Sequence, residues 1–152
     1  VILCATFAKK PFKLVPSWAS KLSVSPIYAL WPATIRFRTL FGGGKFRDFI
    51  TMALEAIKTV EPSVISARVK AILQVNVLNS LQKISVPVLY MASLKDHLIK
   101  KHNISTMKAI KPAMEVTEIN TQHFILQLEP ELSAKIITDF IKKIREPSNK
   151  AL

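Results

Sequence analysis

Between Val86 and Ser93 the chain runs Val-Pro-Val-Leu-Tyr-Met-Ala-Ser, apolar almost to its last residue. A strand with one wet face alternates apolar and polar side chains. A run without alternation is a strand covered on both faces, as in a parallel sheet packed between helices. Pro87 stands near the start of this run, where a missing N–H donor is tolerated. Val1-Ile-Leu-Cys-Ala-Thr6 has the same character, and Met114–Ile119 supplies a third strand candidate. Parallel neighbours cannot be joined by a tight turn and need a long crossover, usually helical. The fold class expected is therefore α/β: about three parallel strands with flanking helices.

The intervening segments provide those helices. Lys45 to Val60 sets Phe46, Phe49, Ile50, Ala53, Leu54 and Ile57 at helical spacing. Pro62 fits the first turn of a second helix, Ser63 to Gln74, with Val64, Ile65, Val69, Ile72 and Leu73 on its inward face. Asn76 to Ile84 reads as a short connection carrying Leu78 and Leu81. Ile99 to Lys111 is a basic amphipathic helix stopped by Pro112. Glu129-Pro-Glu131 opens a last helix, with acid at the positive end of its dipole and Lys142, Lys143 and Arg145 at the negative end. Its stripe of Leu132, Ile136, Ile137, Phe140, Ile141 and Ile144 faces the core. The Pro11–Gly44 stretch holds Trp18, Tyr28, Trp31 and Phe41 among its prolines, too apolar for a linker, and reads as short helices and turns.

Chemistry in open parallel sheets gathers beyond the carboxyl ends of the strands. The run ending at Ser93 leads into a loop holding Asp96, and the run ending at Ile119 leads into a loop holding His123, 123 − 96 = 27 residues later. An acid and an imidazole on successive strand tips can meet. A carboxylate behind an imidazole fixes its tautomer and supports its charged form, which is what a general base behind a nucleophile needs. His97 and His102 read as solvated loop and helix residues, because no second ligand type gathers near them as a metal site requires. Cys4, mid-strand, reads as inert packing. Gly42-Gly-Gly-Lys45 is a turn and not a phosphate loop, since Phe46 stands where Ser or Thr would hold magnesium.

Twenty-two basic residues against ten acidic give a net charge of +12. The lysines are scattered, without an aromatic–basic platform or an arginine cluster, so specific nucleic-acid binding is not expected. No apolar run approaches the ~20 residues of a membrane-spanning helix. The apolar N-terminal run precedes its lysines, the reverse of a secretory leader. A single cysteine excludes an internal disulfide and fits a reducing, cytoplasmic setting. The chain opens on a strand, which reads as the middle of a longer protein.

In order and wording these segments resemble the C-terminal half of an α/β hydrolase of the serine esterase and lipase superfamily. VILCATFAKKP, Val1 to Pro11, looks like the strand after the nucleophile-bearing helix. LQKISVPVLYMASLKD, Leu81 to Asp96, is similar to the superfamily's strand leading to the catalytic acid, and TQHFILQLEPELSAKIITDFI, Thr121 to Ile141, to its histidine loop and last helix. The resemblance implies one truncated domain, with residues 12–75 as a helical lid and 81–145 as the C-terminal sheet and helix part. It also implies Asp96 and His123 as acid and base of a Ser-Asp-His triad cleaving a small-molecule carboxylic ester, with no metal or organic cofactor. Small-molecule carboxylesterases, including those that demethylate a pimeloyl carrier-protein ester, are the nearest in character.

One part of the family pattern is missing. The nucleophile sits in G-x-S-x-G on a strained strand-to-helix turn. The only glycines here are Gly42, Gly43 and Gly44, so that motif cannot be written, and Ser80, Ser85 and Ser93 have no such setting. The chain alone is therefore expected to be inactive. Its Val1–Thr6 strand is expected to present an open edge prone to pairing. The alternative is a non-catalytic basic α/β domain binding an acidic protein or nucleic acid.

Overall fold

The computed structural model describes residues 1–11, 52, 55–56 and 58–146. Three parallel strands form one sheet in the order β1-β2-β3: β1 is Ile2–Cys4, β2 Leu89–Ser93 and β3 Glu115–Ile119. The register sets Leu3 beside Tyr90 and Tyr90 beside Val116, and ends with Ser93 beside Ile119. The helices lying wholly within the described residues follow the same chain order. They are α1 (Pro62–Gln74), α2 (Leu78–Gln82), α3 (Lys101–Ile110), α4 (Ile125–Leu128) and α5 (Pro130–Arg145). The α/β class with flanking helices is the one the apolar runs imply.

Side chains of successive strand residues point to opposite faces, and β2 divides its residues accordingly. Val88, Tyr90 and Ala92 pack with Leu81 of α2 and Met107 of α3. Leu89 and Met91 pack with Ile119, Ile125 and Phe140, the last from α5. Both faces are covered, so Leu89, Tyr90 and Met91 are wholly buried, which is why the sequence could omit polar residues there.

The strands are shorter than their apolar runs. β2 begins at Leu89 and not Val86, because Pro87 has no N–H to enter the ladder; its carbonyl accepts from the N-terminal amine of Val1 at 2.8 Å. β1 ends at Cys4 because Ala5 takes a φ of 39°. That left-handed turn costs a residue with a Cβ about 1–2 kcal/mol. It still delivers the Ala5 N–H to the Met91 carbonyl at 3.0 Å. Beyond it the Tyr90 hydroxyl donates to the Thr6 carbonyl at 2.7 Å and accepts from the Thr6 N–H at 3.1 Å.

Two helix faces differ from expectation. The helix read over Ser63–Gln74 forms as α1, but none of its residues is buried; Val64 and Ile72 are exposed, and Ile65, Val69 and Leu73 are half-buried. In α5 only Phe140 and Ser133 are buried, while Leu132 and Ile144 are 43% and 44% exposed. Helical spacing identifies an apolar stripe but does not say how wide a surface lies opposite it. The Asn76–Ile84 connection contains α2, and the residues after His123 form α4. The Lys45–Val60 helix lies largely, and the Pro11–Gly44 aromatics and Gly42–Gly44 turn wholly, outside the described residues.

Candidate active site

The Asp96 loop is built by its own carboxylate. Asp96 Oδ1 accepts from the Leu98 N–H at 2.7 Å and the Ile99 N–H at 2.8 Å, an Asx-type turn that pins the side chain to the backbone just ahead. This leaves Oδ2 to a second partner, and His123 Nδ1 lies 2.8 Å from it. The Asp96 side chain is 2% exposed and that of His123 22%. The carboxylate is thus buried behind the ring, and the imidazole faces outward over it. Phe124 meets the His123 ring edge to face, with centroids 5.3 Å apart.

The two loops are also tied to each other. The Leu94 N–H donates to the Ile119 carbonyl at 2.9 Å, and the Lys95 N–H to the Thr121 carbonyl at 3.0 Å. Ser93 Oγ donates to the same Thr121 carbonyl at 2.5 Å. Ser93 is the polar residue that closes an otherwise apolar strand, and that position was the sequence signal for a loop-tying role. The hydroxyl of Thr121 and that of Ser133, both buried, have no hydrogen-bond partner among the described residues.

The buried carboxylate is held by two N–H groups and one imidazole nitrogen, and a carboxylate beside Nδ1 favours the tautomer that carries its proton there. Tyr90 and Cys4 stand apart from this. Burial holds the Tyr90 phenol well above the usual phenol range, offset in part by its bond to Thr6, and burial likewise pushes the Cys4 thiol up. A raised thiol at a half-buried strand position is a poor nucleophile. His97 is exposed and His102 half-buried; neither joins the Asp96–His123 pair. Among the described residues no group of three or more acidic, histidine or cysteine side chains could hold a metal ion, and no helix is long and apolar enough to cross a membrane.

Among the cavities bounded by described residues are two that neither Asp96 nor His123 lines. One, about 270 Å³, is apolar and lies beside β1, walled by Leu3, Phe7, Ala8, Leu81 and Met107 among others. The other, about 240 Å³, is lined by Lys9, Lys10, His102, Asn103 and Thr106.

Solved structures contain this arrangement of elements. The chain is similar to a hydrolase from Oleispira antarctica, with 16% identity and a TM-score of 0.72 over 93% of this chain and 55% of that one. An enol-lactonase from Burkholderia xenovorans LB400 matches at 15% identity and a TM-score of 0.72, over 94% and 56%. A thermophilic esterase from Thermogutta terrifontis, solved with malate bound, matches at 18% and 0.73, over 94% and 55%. The chain thus spans about half the length of the solved structures it matches. No protein-family model matches the sequence, and no curated protein does. What the chain shares with these structures is the fold: this is a partial α/β-hydrolase fold.

Proposed function

We propose that this chain carries the acid and the base of a serine hydrolase that cleaves a small-molecule carboxylic ester. The observation that supports this most is the 2.8 Å contact of His123 Nδ1 with a carboxylate whose other oxygen is held by two backbone N–H groups. In this reading Asp96 fixes the tautomer and stabilises the imidazolium, and His123 Nε2 takes the proton of a serine hydroxyl as its oxygen attacks the ester carbonyl. The imidazolium returns that proton to the departing alkoxide, leaving an acyl-serine. Water then attacks, losing its proton to Nε2, and the carboxylic acid departs as the serine is re-protonated.

The serine lies outside these 152 residues, as does the turn that would supply an oxyanion donor. In this reading residues 81–145 are the C-terminal sheet and helix part of one domain; the lid expected over residues 12–75 lies largely outside the described residues. The reaction needs no metal or organic cofactor.

The test joins the chain to an upstream segment carrying a G-x-S-x-G strand-to-helix turn and follows p-nitrophenyl butyrate hydrolysis. The joined protein should turn over, His123→Ala should lower kcat by about 10⁶-fold, and the 152-residue chain alone should not exceed the buffer rate. Turnover by the chain alone that disappears in His123→Ala would show that the serine has been misplaced. Undiminished turnover in the joined His123→Ala protein would remove His123 from the mechanism.

A further inference from the structure

The β2–β3 ladder ends with Ser93 beside Ile119; Asp96 follows the first by three residues and His123 the second by four. Beyond that point both chains leave the sheet, and two carbonyls gather the bonds between them. The Ile119 carbonyl accepts from the Leu94 N–H at 2.9 Å and from the Thr121 N–H at 2.8 Å. The Thr121 carbonyl accepts from the Lys95 N–H at 3.0 Å and from Ser93 Oγ at 2.5 Å. Of these donors only the Ser93 hydroxyl belongs to a side chain.

Thr121 is 2% exposed, and its own hydroxyl has no partner among the described residues, so the hydrogen bonds that place it there are those of its backbone. A carbonyl held by one donor can swing about that bond. Two donors arriving from different atoms fix the plane of its peptide, here the unit that joins Thr121 to Gln122, the residue before His123. The hydroxyl bond is at the short end of the O–H···O range, which makes it a close tether. Ser93 lacks the turn a nucleophile needs, and its oxygen is committed to a backbone carbonyl.

We infer that Ser93 is a positioning residue for the Asp96–His123 pair: its hydroxyl fixes the peptide that leads to His123 and so sets the hold of the imidazole on the carboxylate. That this hold serves ester cleavage rests on the function proposed above; its dependence on Ser93 does not.

The variant Ser93→Ala should fold, because the Thr121 carbonyl keeps the Lys95 N–H and no buried acceptor is orphaned. The test follows the His123 Nδ1–H resonance of the 152-residue chain by NMR and measures its exchange with solvent at one pH, under conditions where the chain stays folded. Ser93→Ala should speed that exchange about tenfold, the scale of one lost hydrogen bond. Ser93→Thr keeps a hydroxyl at the same position and should stay within about twofold of the parent chain. Ile84→Ala loosens the packing ahead of β2 without touching the Thr121 carbonyl, and should also stay within about twofold. Exchange unchanged in Ser93→Ala, or sped equally in Ser93→Thr, would overturn the inference. So would equal acceleration in Ile84→Ala, which would reduce the effect to general loosening. In the joined protein Ser93→Ala should lower kcat about tenfold and leave KM within about twofold, with Ser93→Thr restoring kcat. Unchanged kcat would remove Ser93 from positioning the reaction. A joined protein without any turnover strikes the ester-hydrolase reading instead, and the exchange comparison then decides the role of Ser93.

Discussion

The sheet differs sharply between its β2–β3 side and its β1 side. Leu89, Tyr90 and Met91 of β2 are fully buried, and the loops after β2 and β3 are cross-tied by backbone and side-chain hydrogen bonds. On the other side Val1 is 47% and Ile2 39% exposed, β1 pairs with β2 alone among the described strands, and α1 buries none of its residues. The acid–imidazole pair stands at the tips of β2 and β3, and the hydrogen bonds to the Asp96 carboxylate come from its own turn and from the next strand tip.

Four outcomes would sharpen or break that contrast. The largest concerns turnover in the joined protein described above. Asp96→Asn keeps the shape of the loop but removes the carboxylate that holds the tautomer, and should lower kcat by about 10⁴-fold. A loss below about tenfold would mean that the enclosed loops do not orient the imidazole.

Next comes packing, measured by denaturant unfolding of the chain. Met91→Ala, at a fully buried position on β2, should cost about 2–5 kcal/mol. Ile2→Ala, at a 39% exposed position on β1, should cost well under half of that. Equal losses would erase the distinction between the two sides.

A smaller effect tests the link between the regions. Tyr90→Phe removes both bonds to the Thr6 backbone and should cost about 1–2 kcal/mol. The same phenol sets a pH dependence. Its ionisation is raised in the folded state above the ordinary value of 10.0. Its contribution to stability is complete below that value and falls as pH climbs above it, because the unfolded chain loses the proton first. Unfolding midpoints should drop above pH 10, and less so in Tyr90→Phe.

The smallest effect is on α1. Val64→Lys, at an exposed position, should change stability by no more than about 0.5 kcal/mol. A loss above 2 kcal/mol would show that the α1 face is covered in solution.

The same contrast explains what the sequence made legible. Runs buried on both faces announce themselves by lacking polar residues, so the strands and their order could be read, and the residues at their tips followed. Asp96 stood in a loop where an Asx turn is common, and the turn aims its second oxygen at the next strand tip. Their ends could not be read as well, since Pro87 and the left-handed Ala5 trim the ladder inside runs that stay apolar. The inward faces of α1 and α5 were overestimated, because an apolar stripe records what a helix could cover and not how much is there to be covered. The short helices α2 and α4 were missed for the opposite reason: stretches of 5 and 4 residues are too brief for a helical period to stand out.

The bonds from Ser93 and Lys95 to a single carbonyl, that of Thr121, have a mechanical consequence. They rivet the Asp96 and His123 tips into one piece, so a push on either is shared by both and their separation is conserved while the whole unit shifts. Docking of a further element against the sheet could therefore re-aim the imidazole without first breaking its hold on the acid, by a rigid-body adjustment of both tips together.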